Sequence, residues 1–139
     1  MKLDELDAAS QRRETLAMID HIIIGVSNLD SAKEFYGAAL KPLGYSVGFG
    51  GDWGAGFKSG EGAPDFWIRP EEKVAPVHVA FQVGDRDLVG AFYAAAIAAG
   101  GKDNGEPGLR PHYHKTYYAA FVLDADGHNI EVVCHKPES

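Results

Sequence analysis

Cysteine is nearly missing: Cys134 is the only one in 139 residues, which excludes an internal disulfide and any multi-cysteine zinc or iron–sulfur site. Basic clusters are missing as well. The 13 lysines and arginines are scattered among 20 aspartates and glutamates, for a net charge of −7, and a chain with no concentrated basic face is a poor partner for nucleic acid. No stretch approaches the roughly 20 uninterrupted apolar residues that a spanning helix needs. The chain begins Met-Lys-Leu-Asp-Glu-Leu-Asp, acidic where a secretory signal is basic and then apolar. These absences lead us to expect no membrane association and a cytoplasmic location. Any metal would have to use histidine, carboxylate or water.

What remains is an ordinary globular balance, 45% hydrophobic and 24% charged, in a chain of about the commonest domain length, roughly 100–150 residues. Leu3, Leu6 and Leu16 lie among charged side chains, so residues 1–18 read as an N-terminal amphipathic extension. A single domain over 19–136 is expected to follow.

Ile19 to Val26 is a β-branched run of strand length, closed by Ser27-Asn28. Asp30 to Leu40 then sets Phe35, Ala39 and Leu40 on one helical face, with Pro42 and Gly44 ending it. Tyr45–Phe49, Trp53–Lys58 and Asp65–Arg69 read as three short strands split by glycines, and Pro70 to Pro76 as a connector. The first pattern then returns. Val77–Val83 lies over the first strand at an offset of 78 − 21 = 57, placing His78 on His21, Phe92-Tyr93 on Phe35-Tyr36 and Gly101 on Gly44. Strand-like runs Tyr117–Asp124 and His128–His135, joined by Asp124-Ala125-Asp126-Gly127, close the chain. The pattern is a duplication, two βαβββ modules over about 19–70 and 77–135, each needing the other to bury its open faces.

Asp20-His21-Ile22, Phe35-Tyr36 and Asp124-Ala125-Asp126-Gly127-His128-Asn129-Ile130-Glu131 together resemble the vicinal oxygen chelate superfamily, which includes glyoxalases, bleomycin-resistance proteins and extradiol dioxygenases. Pro107 to His114 is suggestive of an uncharacterised glyoxalase-like subgroup. The resemblance implies an α+β fold in which two βαβββ modules form a U-shaped mixed-sheet half-barrel with helices outside. It also implies that His21, His78 and Glu131 hold a divalent ion such as Fe, Mn or Zn. Trp67 stands at the fourth ligand position, where indole cannot ligate, so a four-ligand glyoxalase I site is disfavoured. Two imidazoles and one carboxylate leave coordination positions open for a substrate offering two neighbouring oxygens. The dioxygenase C-terminal pattern is matched in spacing by His114, Asp124 to Gly127 and Glu131. Phe121 stands where that pattern has a tyrosine, and Ala125 where it has a proline.

His112 to Tyr118 is the densest polar-aromatic cluster. His112, His114 and Tyr118 of this cluster are the candidate catalytic groups, and its Tyr113 and Tyr117, with Trp67 and Arg110 from outside it, the candidate substrate contacts. His128 and His135 read as exposed or near a dimer edge, and Cys134 as inert. The function expected is a metal-dependent lyase, isomerase or dioxygenase acting on a small oxygen-chelating substrate, as a homodimer. The alternative is a metal-free protein that sequesters an aromatic ligand between subunits, with Trp53, Trp67, Tyr113 and Tyr117 as its wall, resembling the bleomycin-resistance proteins.

Overall fold

The computed structural model describes residues 18–137, so the expected N-terminal extension, apart from Met18, lies outside the described residues. Strand β1 (Ile22–Val26) leads to helix α1 (Leu29–Ala39), a 3-10 turn (Lys41–Leu43), β2 (Tyr45–Gly51), β3 (Gly54–Ser59) and β4 (Phe66–Pro70). After the connector, β5 (His78–Val83), α2 (Arg86–Ala98), β6 (Lys102–Leu109), β7 (Tyr118–Leu123) and β8 (Asn129–Cys134) repeat the order. Two four-stranded mixed sheets result, β1-β4-β3-β2 and β5-β8-β7-β6, with β1/β4 and β5/β8 parallel and the other pairs antiparallel. The fold is α+β, two βαβββ modules with open sheets.

Local chemistry explains the helix starts. The Asn28 side chain accepts from the Ser31 N–H, and the Asp85 side chain accepts from the Asp87 N–H, each satisfying an otherwise unpaired first-turn donor. The helices begin at Leu29 and Arg86, 57 residues apart, and β2 and β6 begin at Tyr45 and Lys102, the same interval. The repeat also governs register: Trp67 lies opposite Ile23 in the first sheet as Glu131 lies opposite Ala80 in the second.

Strand β6 is the element that the pattern did not locate. Its sequence, Lys-Asp-Asn-Gly-Glu-Pro-Gly-Leu, has neither β-branched residues nor apolar alternation. It is an edge strand with register shifts against β7, a place where glycine, proline and charge are tolerated.

Alternate residues of each sheet enter one shared core. Ile24 and Val26 of β1, Phe66 and Ile68 of β4, and Val122, Ile130 and Val132 of β7 and β8 all belong to it, with Phe35, Tyr36 and Phe92 from the helices. The Phe81 ring meets Phe66 at 5.3 Å and Tyr45 at 5.6 Å, joining the modules through edge-on aromatic contacts. Since both sheets give one face to this core, the other face of each sheet looks away from it.

The Asp124–His128 turn clasps the modules together. Asp124 Oδ1 accepts from the Asp126 and His128 N–H groups, while Oδ2 receives the Tyr36 hydroxyl from α1. Asp126 accepts from the Ser27 N–H. His128 is 1% exposed, its Nδ1 accepting from the Val77 N–H at 3.0 Å and its Nε2–H donating to the Gly25 carbonyl at 2.7 Å. This corrects the reading of His128 as an exposed residue: a fully paired neutral imidazole is cheap to bury. His135 is exposed as expected, and Cys134 is buried.

Candidate functional site

Glu131 sits in the middle of β8 with apolar neighbours on both sides, yet its side chain turns to the face away from the core. It is 1% exposed, and a carboxylate so enclosed needs strong partners. It has two. His78, at the start of β5, places Nε2 2.8 Å from Oε1, and the Tyr117 hydroxyl donates to Oε2. Burial, together with the bond to Glu131, pushes the Tyr117 phenol up to about 12, so it stays protonated at neutral pH and acts as donor.

Phe121 lies directly across from Glu131 on β7 and touches the His78 ring, with centroids 6.2 Å apart. The Arg110 guanidinium lies over Phe121, 5.4 Å from the ring centroid. Tyr113 packs edge-on against Tyr117 at 5.1 Å, His112 against Tyr113 at 4.2 Å, and the exposed His135 against Tyr117 at 5.2 Å. The open face of the second sheet is therefore a His–Glu–Tyr centre under an aromatic and cationic rim.

The first sheet's open face is built differently. The Trp67 ring lies so close over Gly56 that an added Cβ there would come within 2.6 Å of it. Phe49 stacks on Trp67 at 6.3 Å with planes 18° apart, and Trp53 meets it at 5.6 Å. Ile23, Phe49 and Trp53 are exposed. His21 precedes β1 and pairs with its neighbour Asp20, Nδ1 to Oδ1 at 2.6 Å. Between the β1 and β5 edges runs a groove of about 510 Å³ whose lining includes Ile23, Tyr45, His78 and Phe81.

The sequence-nominated ligands are thus divided. His78 and Glu131 meet, whereas His21 and Trp67 belong to the other sheet, and among the described residues no three His, Cys, Asp or Glu side chains of one chain gather as a metal-binding group. The catalytic reading of Tyr118 needs correction. Its side chain packs on the core side of β7 beneath the Arg86 guanidinium, 4.9 Å from the ring centroid. Strand alternation gives the open face to Tyr117 instead. His112 and His114 are exposed in the loop, and His114 bonds locally to Thr116 at 3.0 Å.

The profile of the Glyoxalase/Bleomycin resistance protein/Dioxygenase superfamily matches residues 18–132. The chain belongs to this superfamily. A glyoxalase/bleomycin resistance protein from Albidiferax ferrireducens T118 is 30% identical, with a TM-score of 0.75 over 85% of this chain and 99% of that one. A glyoxalase/bleomycin resistance protein/dioxygenase family enzyme from Burkholderia phytofirmans PsJN is 17% identical, with a TM-score of 0.66 over 86% and 100% of the two chains. Lactoylglutathione lyase from Agrobacterium tumefaciens is 16% identical, with a TM-score of 0.63 over 85% and 93%. These last two share the fold alone. No curated protein matches the chain.

Trp67 and Phe121 are the two open-face positions at which the sequence differs from the ligand and dioxygenase patterns that the resemblance implied. Phe121 stands on the open face without a hydroxyl, but Tyr117, four residues earlier on the same face, brings a phenol to Glu131. Spacing alone did not show this, because the run Tyr117–Asp124 does not reveal which of Tyr117 and Tyr118 faces the core. No helix among the described residues is long and apolar enough to cross a membrane.

Proposed function

We propose that this chain is a metal-dependent enzyme of the superfamily, acting on a small substrate that offers two neighbouring oxygens, in lyase, isomerase or dioxygenase chemistry. The observation that carries the reading is the buried Glu131 carboxylate, held between His78 and Tyr117 on an open sheet face. The donor set fits a divalent ion. His78 Nε2 and Glu131 Oε1, hydrogen-bonded to each other at 2.8 Å, bring together an imidazole and a carboxylate, donor types that such ions accept. An ion such as Fe, Mn or Zn bound there would supply Lewis-acid stabilisation of developing negative charge on the substrate.

The chain's own groups prepare that centre. Tyr117 fixes the Glu131 carboxylate through Oε2 and leaves Oε1 toward His78, a supporting bond of the kind that sets ligand orientation. Phe121 walls the His78 ring and keeps water from that side. The third ligand, His21, lies on the other sheet, so we place the working site between two copies: His21 and Trp67 of one, His78 and Glu131 of the other. The working form in this reading is a cytoplasmic homodimer.

The Phe49–Trp67–Trp53 shelf favours a second reading, metal-free sequestration of an aromatic ligand. Mn(II) titration followed by electron paramagnetic resonance separates the two. The enzyme reading expects bound Mn(II) whose spectrum changes on adding catechol, and no bound Mn(II) in Glu131→Ala. Absence of Mn(II) binding by the native chain would leave sequestration as the better account.

A further inference from the structure

Arg110 carries a positive charge that no carboxylate among the described residues pairs with. Among the described residues the side-chain ion pairs are Asp20–His21, Arg69–Glu71 and His78–Glu131, and Arg110 is in none of them. Its guanidinium is nonetheless held firmly. Nη1 donates to the Gly108 carbonyl at 2.8 Å, Nη2 donates to the Glu106 carbonyl at 2.7 Å, and the guanidinium carbon lies over Phe121, 5.4 Å from the ring centroid. Two glycines make the room. A Cβ on Gly105, whose φ of +153° already disfavours a side chain, would come within 2.8 Å of Phe121 and 3.1 Å of Nη2, and one on Gly108 within 3.2 Å of Nη1.

The placement is as specific as the restraint. The Arg110 N–H donates to the Tyr117 carbonyl at 2.7 Å, so the two residues form the base of the 111–116 loop. Tyr117 in turn holds Glu131, and Phe121 beneath the guanidinium is Glu131's cross-strand neighbour. Of the five guanidinium donors, the two carbonyls take one each, leaving three for a ligand. In a chain of net charge −7, with Glu131 on the same face, a free anion would otherwise be repelled. A preorganised, half-buried fork without a counter-ion suits an oxyanion.

We infer that the ligand of this face carries an anionic group, a carboxylate or a phosphate-type oxyanion, and that Arg110 receives it and sets specificity. The inference rests on reading the Glu131 face as the ligand site, and it does not require the metal. Phe121 and the two carbonyls position the guanidinium; the substrate contact is Arg110 itself.

The test titrates the full chain with benzoate, phenyl phosphate and neutral benzamide by calorimetry, both metal-loaded and after chelation, while the Arg110 Nε–H resonance is followed. At least one anion binds about ten-fold tighter than benzamide, weakens as salt rises, and shifts that resonance. Which anion prevails separates carboxylate from phosphate chemistry. The preference disappears in Arg110→Gln, is partly kept in Arg110→Lys, and survives chelation. Equal or absent binding of all three probes, a preference retained in Arg110→Gln, or one lost on chelation overturns the inference. If Arg110→Gln does not fold, the salt dependence and the native Nε–H shift decide. A chain that holds no metal yet keeps an Arg110-dependent preference sinks the enzyme reading and leaves this one standing.

Discussion

The imidazole of His128 donates through Nε2–H to the carbonyl of Gly25 at 2.7 Å, bridging residues 103 positions apart and pinning the loop before β8 to β1. Because Nδ1 accepts from the Val77 N–H, one buried ring satisfies backbone groups of both modules. His128→Ala leaves both unpaired and opens a cavity. The expected loss is about 3 kcal/mol, read as a lower urea midpoint with an unchanged slope. A loss below about 0.5 kcal/mol, the scale of ordinary surface substitutions, would mean that the clasp does not hold the modules together.

Alkaline stability tests the same clasp from α1. Burial and the neighbouring Asp124 raise the Tyr36 phenol well above its ordinary value of 10.0. The sign follows directly: the folded state keeps its proton while the unfolded tyrosine loses it, so the stabilisation is complete below pH 10 and is lost as pH rises beyond. Near and above pH 11 this residue alone contributes about 1.4 kcal/mol per pH unit to the fall. Tyr36→Phe flattens that dependence by about one proton equivalent in denaturation curves collected between pH 9 and 12. It also costs about 1–2 kcal/mol near neutrality, through the lost bond to Asp124.

The duplication was legible because it is written in side chains whose spacing survives divergence. His21 and His78, Phe35-Tyr36 and Phe92-Tyr93, and Gly44 and Gly101 keep one interval. The structure bears out the interval in the helix starts and in Ile23 and Ala80, the parallel-strand partners of Trp67 and Glu131. Even so, the glycines differ in purpose: Gly44 has φ +85°, whereas Gly101 is needed for close approach to Val122 and the left-handed residue is Gly100. Strand β6 escaped notice because an edge strand needs no apolar alternation. The inter-module role of His128 escaped because its partners, Gly25 and Val77, are distant in sequence. Tyr118 was preferred over Tyr117 because composition does not reveal which neighbour faces the core.

The aromatic shelf has its own signature, since Trp53 and Trp67 are the only tryptophans and both belong to it. Gly56→Ala would force the Trp67 ring upward, its Cβ meeting ring atoms at 2.6–2.8 Å. A loss of near-ultraviolet circular dichroism from the coupled indoles is expected, with a stability cost of about 1–3 kcal/mol. An unchanged spectrum would show that the two rings do not pack as described.

Assembly between copies is tested by complementation. His21→Ala and Glu131→Ala homodimers each lack a ligand at both sites. Mixed dimers regain one intact site if His21 is supplied by the opposite copy to Glu131. Random exchange then restores metal to about one quarter of all sites, measured after unfolding and refolding the two variants together. No restoration would place His21 in the same site as its own chain's Glu131, or outside the site altogether.

The proposed activity depends on His78 and Glu131 holding a divalent metal. Elemental analysis of native protein purified without chelators, beside His78→Ala handled identically, tests it most directly. Near-stoichiometric metal in the native protein that vanishes in the variant, with both still folded by circular dichroism, is the predicted result. Absence of metal in the native protein even after incubation with Fe(II), Mn(II) or Zn(II), or equal metal in both proteins, would contradict it.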